Sequence, residues 1–165
     1  MPLAHAQILS VRTQYWRDEA ECAAGAAALA ARPALRNACI ELEGPLGAGK
    51  TTFARHLLRA LGVTERIKSP SYAVVEQYLL PARDGQPEGA AAHFDFYRFD
   101  DAREWEDAGL RDLYAAPGLK LAEWPDKARA RLPVPDLRVV IAPGEGDSRR
   151  VTLQALTPLG AELLA

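Results

Sequence analysis

Hydrophobic residues along the chain recur with two spacings, one typical of strands and one typical of helices. Strand-like apolar runs cover residues 8–13, 38–43, 72–80, 91–99, 118–123, 137–141 and 150–156. Helices are predicted over residues 18–31, 53–61, 100–108 and 110–114, with a short helix or loose tail over 159–165. The runs at 72–80 and 91–99 predict a hairpin with an unusually long turn, so the sheet is expected to be mixed rather than all parallel.

A glycine-rich stretch lies between the strand at 38–43 and the helix at 53–61. Residues 44–51 read Gly-Pro-Leu-Gly-Ala-Gly-Lys-Thr and fit G-x-x-x-x-G-K-[ST], the phosphate-binding loop of nucleotide hydrolases and kinases. Glycines allow backbone N–H groups to turn toward phosphates, Lys50 supplies positive charge, and Thr51 offers a hydroxyl to Mg²⁺. A surface turn is the alternative, but the order strand, loop and helix favours a nucleotide site.

Length, charge and cysteine content restrict the class of protein. The 165 residues suit one domain over residues 1–165, and a net charge of −2 with a pI of about 5.9 gives no overall basic field for gripping nucleic acid. Cys22 and Cys39 are too few for a secreted disulfide scaffold or a zinc site. We find neither a signal-peptide pattern nor an apolar stretch of membrane length, so we expect a cytoplasmic protein that does not bind membranes.

Two loops allow more than one interpretation. Ser69-Pro70-Ser71 is either a turn that starts a strand or a switch segment that senses the γ-phosphate and Mg²⁺. Residues 144–150 form either a plain hairpin loop, which is the preferred interpretation, or a basic rim near the phosphates.

Two segments carry acids that suit nucleotide chemistry. His93, Asp95 and Tyr97 alternate with apolar residues, which indicates either a wet strand face or groups for metal positioning and water activation. Asp95 is the preferred candidate for that chemistry. Glu123 ends a short strand, where it is either a solvent-facing acid or the carboxylate that helps to hold Mg²⁺ in phosphate-loop enzymes.

The nucleotide is expected to be ATP, because the guanine-reading segment Asn-Lys-x-Asp is missing from the sequence and the only asparagine is Asn37. A series of motifs then narrows the family. It comprises Leu-Gly-Ala-Gly-Lys-Thr-Thr-Phe at 46–53, Lys-Ser-Pro-Ser-Tyr at 68–72, His-Phe-Asp-Phe-Tyr-Arg at 93–98, Gly-Leu-Arg-Asp at 109–112 and Glu-Trp-Pro at 123–125. Over roughly residues 18–156 the chain resembles TsaE, the bacterial ATPase family of tRNA threonylcarbamoyladenosine biosynthesis.

The resemblance implies an α/β fold, the P-loop nucleotide-binding fold, with a central mixed, mostly parallel sheet flanked by helices. It implies that Lys50 and Thr51 serve ATP and Mg²⁺, that Glu123 completes the metal site with Thr51, and that Asp95 is needed for hydrolysis. Trp124 is expected near the nucleotide. The implied nucleotide contacts are Leu46, Gly47, Ala48, Gly49, Lys50, Thr51, Thr52, Ser71, Trp124 and Cys22.

Two of these positions depart from the family pattern. Ser71 replaces a usual threonine, which keeps the hydroxyl of the expected switch loop. Cys22 stands where the family often has a threonine near the adenine, so a side-chain hydrogen bond to the base is in question and backbone contacts are the alternative.

The resemblance also implies partners, namely TsaB and TsaD, with tRNA contacted indirectly through the complex. ATP turnover is then expected to reset the complex that modifies the adenosine next to the anticodon, rather than to transfer the group itself. Two other functions stay open, a small-molecule P-loop kinase and an ATP clamp that does not hydrolyse. The kinase is disfavoured because residues 81–89, the loop available for a lid, contain only Arg83.

Overall fold

The computed structural model describes residues 7–68, 70, 74–100, 102–107 and 109–165. Within these residues a single sheet has seven strands, which are β1 (Ser10–Trp16), β2 (Cys39–Glu43), β3 (Val75–Leu80), β4 (Gly89–Asp95), β5 (Leu119–Glu123), β6 (Leu137–Pro143) and β7 (Arg149–Ala155). Their order across the sheet is β1-β7-β6-β2-β5-β4-β3. The pairs β2–β5, β2–β6 and β4–β5 are parallel, whereas β1–β7, β6–β7 and β3–β4 are antiparallel. Strands β3 and β7 therefore run against the other five, which confirms a mixed, mostly parallel sheet.

Helices flank the sheet and close its two cores. The α-helices in the described part are α1 (Glu19–Ala30), α2 (Lys50–Ala60), α3 (Ala102–Asp107), α4 (Leu110–Ala115) and α5 (Pro158–Leu164). Short 3₁₀ helices cover Pro33–Asn37 and Pro125–Arg131. A large apolar core forms where α1, α2 and α5 meet the sheet, and a smaller aromatic core forms beside α3 and α4. Within the described residues we find no helix that is both long and apolar enough to cross a membrane.

Alternation along β4 and β5 assigns their side chains to these two cores. On β5, Leu119 and Leu121 belong to the large core, whereas Ala122 belongs to the aromatic core. On β4, Phe94 faces the aromatic core, so His93 and Asp95 must lie on the opposite face, the side of the large core. His93 is fully buried there, Asp95 is half-buried and Tyr97 is exposed, so the interpretation of this face as wet is wrong for His93 and holds only toward its end.

Local hydrogen bonds explain where two elements begin and end. The Asp18 side chain accepts from the Glu21 N–H at 3.0 Å and caps the start of α1. The Glu21 carboxylate reaches back to the Arg17 N–H at 2.6 Å rather than to that of Asp18. Strand β4 ends at Asp95, four residues earlier than predicted, because the Tyr97 N–H donates to Asp95 Oδ1 at 2.9 Å and closes a turn.

A buried ion pair connects the central strand β2 to the 3₁₀ helix Pro125–Arg131. Glu41 is 1 % exposed, and Arg129 donates to its two carboxylate oxygens from Nη1 at 2.9 Å and from Nη2 at 2.8 Å. The Nε of Arg138 lies 3.8 Å from the same carboxylate. Because this 3₁₀ helix begins directly after Trp124, the pair anchors the segment that carries Trp124 to the sheet.

Replacing Arg129 is expected to destabilise the fold, because it leaves the buried Glu41 carboxylate with only the more distant Arg138. We expect Arg129→Met to lower the free energy of unfolding by about 3 kcal/mol in urea denaturation. The matched control is Arg131→Met, which removes an exposed arginine from the same helix. The double variant Glu41→Gln/Arg129→Met should recover part of the lost stability, because the unpaired charge is removed. Equal stability of Arg129→Met and Arg131→Met would contradict the anchoring role.

Candidate functional site

The glycine-rich loop of residues 44–51, called the phosphate loop below after the motif that it matches, joins β2 to α2 at the predicted position. Helix α2 begins at Lys50, and its N-cap Gly49 has a left-handed φ of +107°, which favours glycine. A side chain at Gly44 would meet the backbone, because an added Cβ would lie 2.4 Å from the carbonyl oxygen of Ile141 on β6. The loop sequence therefore satisfies both the turn into α2 and the close approach to β6.

The loop forms the floor of a cavity of about 340 Å³ at the carboxyl edge of the parallel strands. Residues that line it are Leu46, Gly47, Ala48, Gly49, Lys50, Thr51, Thr52, Asp95, Tyr97, Glu123 and Trp124. The structure thus brings together most of the predicted site residues. Ser71 lies outside the described residues.

The register of β2, β4 and β5 explains why acids from distant segments meet at this cavity. Glu123 is paired across the sheet with Leu42 on one side and with Asp95 on the other. Because parallel strands end at the same edge, both carboxylates lie beside the loop that follows β2. Glu123 is 2 % exposed, so its interpretation as a solvent-facing acid is wrong.

Two side chains donate to the Glu123 carboxylate. Thr51 Oγ1 lies 2.8 Å from Glu123 Oε1 and 3.0 Å from Oε2. The Nε2 of His93 lies 2.6 Å from Oε2. A buried charge is tolerated only when it is paired or hydrogen-bonded, and these contacts meet that requirement.

Asp95 has a more open environment than Glu123. Burial is the main cause that raises the pKa of the Asp95 carboxyl, and the nearby Glu123 charge acts in the same direction. The N–H of Tyr97, the charge of Lys50 and the nearby His93 lower the same pKa and partly offset the increase. Asp95 is therefore a half-buried carboxylate whose affinity for a proton is higher than that of an ordinary aspartate.

Lys50 is 5 % exposed and is held within its own loop. Its Nζ donates to the carbonyl oxygens of Gly44 and of Pro45, the latter at 3.0 Å, and lies 3.9 Å from the centroid of the Trp124 ring. Burial lowers the pKa of the ammonium group, while the charges of Glu123 and Asp95 raise it.

Trp124 covers this ammonium group from an unusual backbone conformation. Its φ of 54° and ψ of 50° are left-handed, which is uncommon for a residue with a side chain. The Tyr97 ring packs against it with centroids 4.9 Å apart. The two rings therefore form one wall of the cavity.

A second cavity of about 310 Å³ adjoins the first and shares Ala48, Gly49 and Thr52 with it. Its other lining residues are Trp16, Asp18, Glu19, Cys22, Asp147 and Arg149. Burial raises the pKa of the Cys22 thiol to about 11, so the thiol stays protonated near neutral pH. The structure places Cys22 in this second cavity, apart from Lys50 and Glu123.

Arg149 lines the second cavity and contacts Ala48, which lines both cavities. Its Nε donates to the Ala48 carbonyl oxygen at 2.8 Å, and its Nη1 donates to the Ser148 carbonyl oxygen at 2.9 Å. Sequence reasoning preferred a plain hairpin loop for residues 144–150. The segment is the turn between β6 and β7, but it also brings one arginine to the phosphate loop, and the pair Arg149-Arg150 was the signal available for this.

The donor set suits a magnesium ion that is shared with a nucleotide. In the part of the chain that is described, no three or more His, Cys, Asp and Glu side chains form a group that could hold a metal. Thr51 Oγ1 and the Glu123 carboxylate are the protein donors at the loop. Mg²⁺ usually takes one or two carboxylates together with water and phosphate oxygens, so this small set fits Mg²⁺ with ATP rather than a protein-only metal site.

Comparison with known proteins identifies the family. Residues 16–151 match the family described as threonylcarbamoyl adenosine biosynthesis protein TsaE. The tRNA threonylcarbamoyladenosine biosynthesis protein TsaE of Haemophilus influenzae is 36% identical over 126 residues, which cover 76% of this chain and 75% of the relative. The protein of the same name from Bacillus subtilis is 35% identical over 120 residues, covering 71% and 69% of the two chains.

A solved structure shows the same architecture. The crystal structure of Bacillus subtilis YdiB aligns with a TM-score of 0.74 and 27% identity, covering 96% of this chain and 94% of that one. The family match spans the phosphate loop, Asp95, Glu123 and Trp124, and the relatives cover most of the chain. The chain therefore belongs to the TsaE family of threonylcarbamoyl adenosine biosynthesis proteins.

Proposed function

We propose that this protein binds ATP with Mg²⁺ and hydrolyses it as part of threonylcarbamoyladenosine biosynthesis on tRNA. The observation that carries the proposal is the convergence of Lys50, Thr51, Asp95 and Glu123 on one cavity beside the phosphate loop. The names of the relatives support the pathway, since each is described as a tRNA threonylcarbamoyladenosine biosynthesis protein.

The loop supplies the groups that would bind the phosphates. The N–H groups around Gly47 and Gly49 and the amino end of α2 favour an anion at this position. Lys50 would exchange its contacts with the Gly44 and Pro45 carbonyl oxygens for phosphate oxygens. Because those carbonyls are weaker partners than a charged phosphate, the exchange favours the nucleotide.

Thr51 and Glu123 would hold the magnesium ion, which when bound neutralises charge on the transferred phosphate. Asp95 lies beside Glu123 on the neighbouring strand and lines the same cavity, and its Oδ1 accepts from the Tyr97 N–H. Its Oδ2 would orient a water molecule and accept its proton. Its raised pKa suits proton acceptance, since a base whose pKa is nearer the working pH is more effective.

The second cavity is the proposed site of the nucleoside. It continues from the loop at Ala48, Gly49 and Thr52, so a nucleotide with its phosphates on Lys50 would extend into it. The protonated Cys22 thiol is a weak hydrogen-bond donor. We therefore expect shape and backbone contacts, more than Cys22, to select the base.

TsaB and TsaD are the proposed partners, and the cytoplasm is the proposed location. The net charge of −2 argues against strong independent binding to tRNA. Contact with tRNA is proposed to occur through the complex, with ATP turnover resetting that complex.

The experiment that tests the function is ATP turnover by the purified protein with Mg²⁺, alone and with TsaB plus TsaD. We expect turnover that depends on the partners and that falls at least about 100-fold in Glu123→Ala, because the metal loses its carboxylate. Tight ATP binding without turnover in either condition would indicate a clamp. Transfer of phosphate to a metabolite rather than to water would indicate a kinase.

Lys50→Ala is expected to weaken ATP binding. Loss of a hydrogen bond to a charged group costs about 1.5–3 kcal/mol, which corresponds to roughly 10- to 100-fold in the dissociation constant. Calorimetric titration with ATP measures the change, and Lys127→Ala, at an exposed lysine, is the matched control. An unchanged affinity in Lys50→Ala would refute the loop assignment.

Asp95→Asn is expected to separate activity from stability. Turnover should fall by roughly 100-fold or more, since general acid–base groups contribute on that scale. Because the folded state raises the pKa of Asp95, its ionised form is disfavoured by folding, and wild-type stability is lost as pH rises through that pKa. Without nucleotide and metal, the variant should be at least as stable as wild type at neutral pH.

Unfolding curves at several pH values measure this effect. The difference in free energy between Asp95→Asn and wild type should shrink as the pH is lowered toward the ordinary pKa of aspartate. Asp112→Asn, at an exposed acid, is the control. A clear loss of stability in Asp95→Asn at neutral pH would contradict the assigned environment.

A further inference from the structure

His93 is the one fully buried histidine that contacts the proposed metal ligand among the described residues. It lies on β4, two residues before Asp95, and is paired across the sheet with Leu121 and Glu76. Its Nε2 is 2.6 Å from Glu123 Oε2. The sequence pattern offered His93 only as one member of a polar row with Asp95 and Tyr97, and the proposed chemistry gives its side chain no role.

The other ring nitrogen indicates which tautomer is present. His93 Nδ1 is buried without a hydrogen-bond partner in the described part of the structure. A proton on Nδ1 would bury an unpaired N–H and would turn the Nε2 lone pair toward a carboxylate. A neutral ring that carries its proton on Nε2 avoids both penalties and donates to Glu123.

This bond matters because the other donor to Glu123 has a second task. Among the residues that the structure describes, Thr51 is the other side chain that donates to the Glu123 carboxylate, through its Oγ1. Thr51 is also the hydroxyl proposed to bind Mg²⁺. His93 contacts Oε2 alone, whereas Oε1 has its shortest contact with Thr51 of the loop at 2.8 Å, so His93 would still hold the carboxylate when Thr51 turns to the metal ion.

Packing alone does not explain a histidine at this position. A buried imidazole with one unpaired nitrogen is less favourable than an apolar side chain, because the unpaired polar atom has lost its contact with water. The polar group is compensated only by its bond to Glu123.

We propose that His93 is a positioning residue that fixes the orientation of Glu123 for the metal ion. The inference rests on the proposed role of Glu123 in holding Mg²⁺. Partners that orient metal ligands typically contribute about 10- to 100-fold in metal affinity, so His93 should raise affinity without touching the metal.

The test compares His93→Leu with His93→Gln. The probe is Mn²⁺, whose binding to the protein with a non-hydrolysable ATP analogue is followed by electron paramagnetic resonance. We expect His93→Leu to weaken Mn²⁺ binding by roughly 10- to 100-fold. His93→Gln should recover most of the affinity, because its amide N–H donates to the carboxylate. Binding of the analogue without metal should be unchanged in both variants.

Two further measurements keep the outcomes distinct. The variant Glu123→Ala tests the metal site itself. If Mn²⁺ binding is lost in Glu123→Ala but is normal in His93→Leu, the inference about His93 is overturned and the role of Glu123 stands. Normal Mn²⁺ binding in Glu123→Ala would instead overturn the proposed role of Glu123. If His93→Leu fails to fold, the imidazole nitrogen signals of His93 in the NMR spectrum of the wild-type protein test the proposal instead. A proton on Nε2 and a shift of that signal on adding Mg²⁺ with the analogue support the proposal, whereas a proton on Nδ1 or no shift overturns it.

Discussion

The buried carboxylate of Glu123 constrains most of the residues around the phosphate loop. A charge that is almost entirely shielded from water requires donors at close range, and the chain provides them from two elements, Thr51 on α2 and His93 on β4. The positions of the loop, of α2 and of β4 relative to β5 are therefore linked through one functional group. The parallel register of the central strands makes this possible, because it ends β4 and β5 at the same edge as β2.

The fold and the centre of the site were largely predictable, because both follow from local sequence. The spacing of apolar residues located the seven strands of the described residues, and the glycine loop with its lysine and threonine predicted an anion site at the position where the structure has a cavity. Glu123 was selected as a strand-end acid; its burial excludes the solvent-facing interpretation, and its role in holding Mg²⁺ stays a prediction.

The remaining features depend on contacts between distant segments, which local patterns do not encode. The alternation along β4 indicated two faces correctly but could not show where the polar face is covered, so it left open a wet position for His93, which is in fact fully buried. The length of β4 was overestimated because the bond from the Tyr97 N–H to Asp95 competes with strand geometry. Arg149 reaches the loop from about 100 residues away; the pair Arg149-Arg150 allowed a basic rim as an alternative, but the hairpin pattern alone did not favour it.

The backbone at Trp124 has a consequence for protein design. A left-handed conformation costs a residue with a side chain about 1–2 kcal/mol, and glycine would remove that cost. Glycine would also remove the ring that lies over the Lys50 ammonium group. A sequence optimised only for thermodynamic stability would therefore select against the native residue at this position. Conflict between local backbone preference and residue identity is typical of functional sites, and here it separates what the backbone prefers from what the proposed nucleotide site would require.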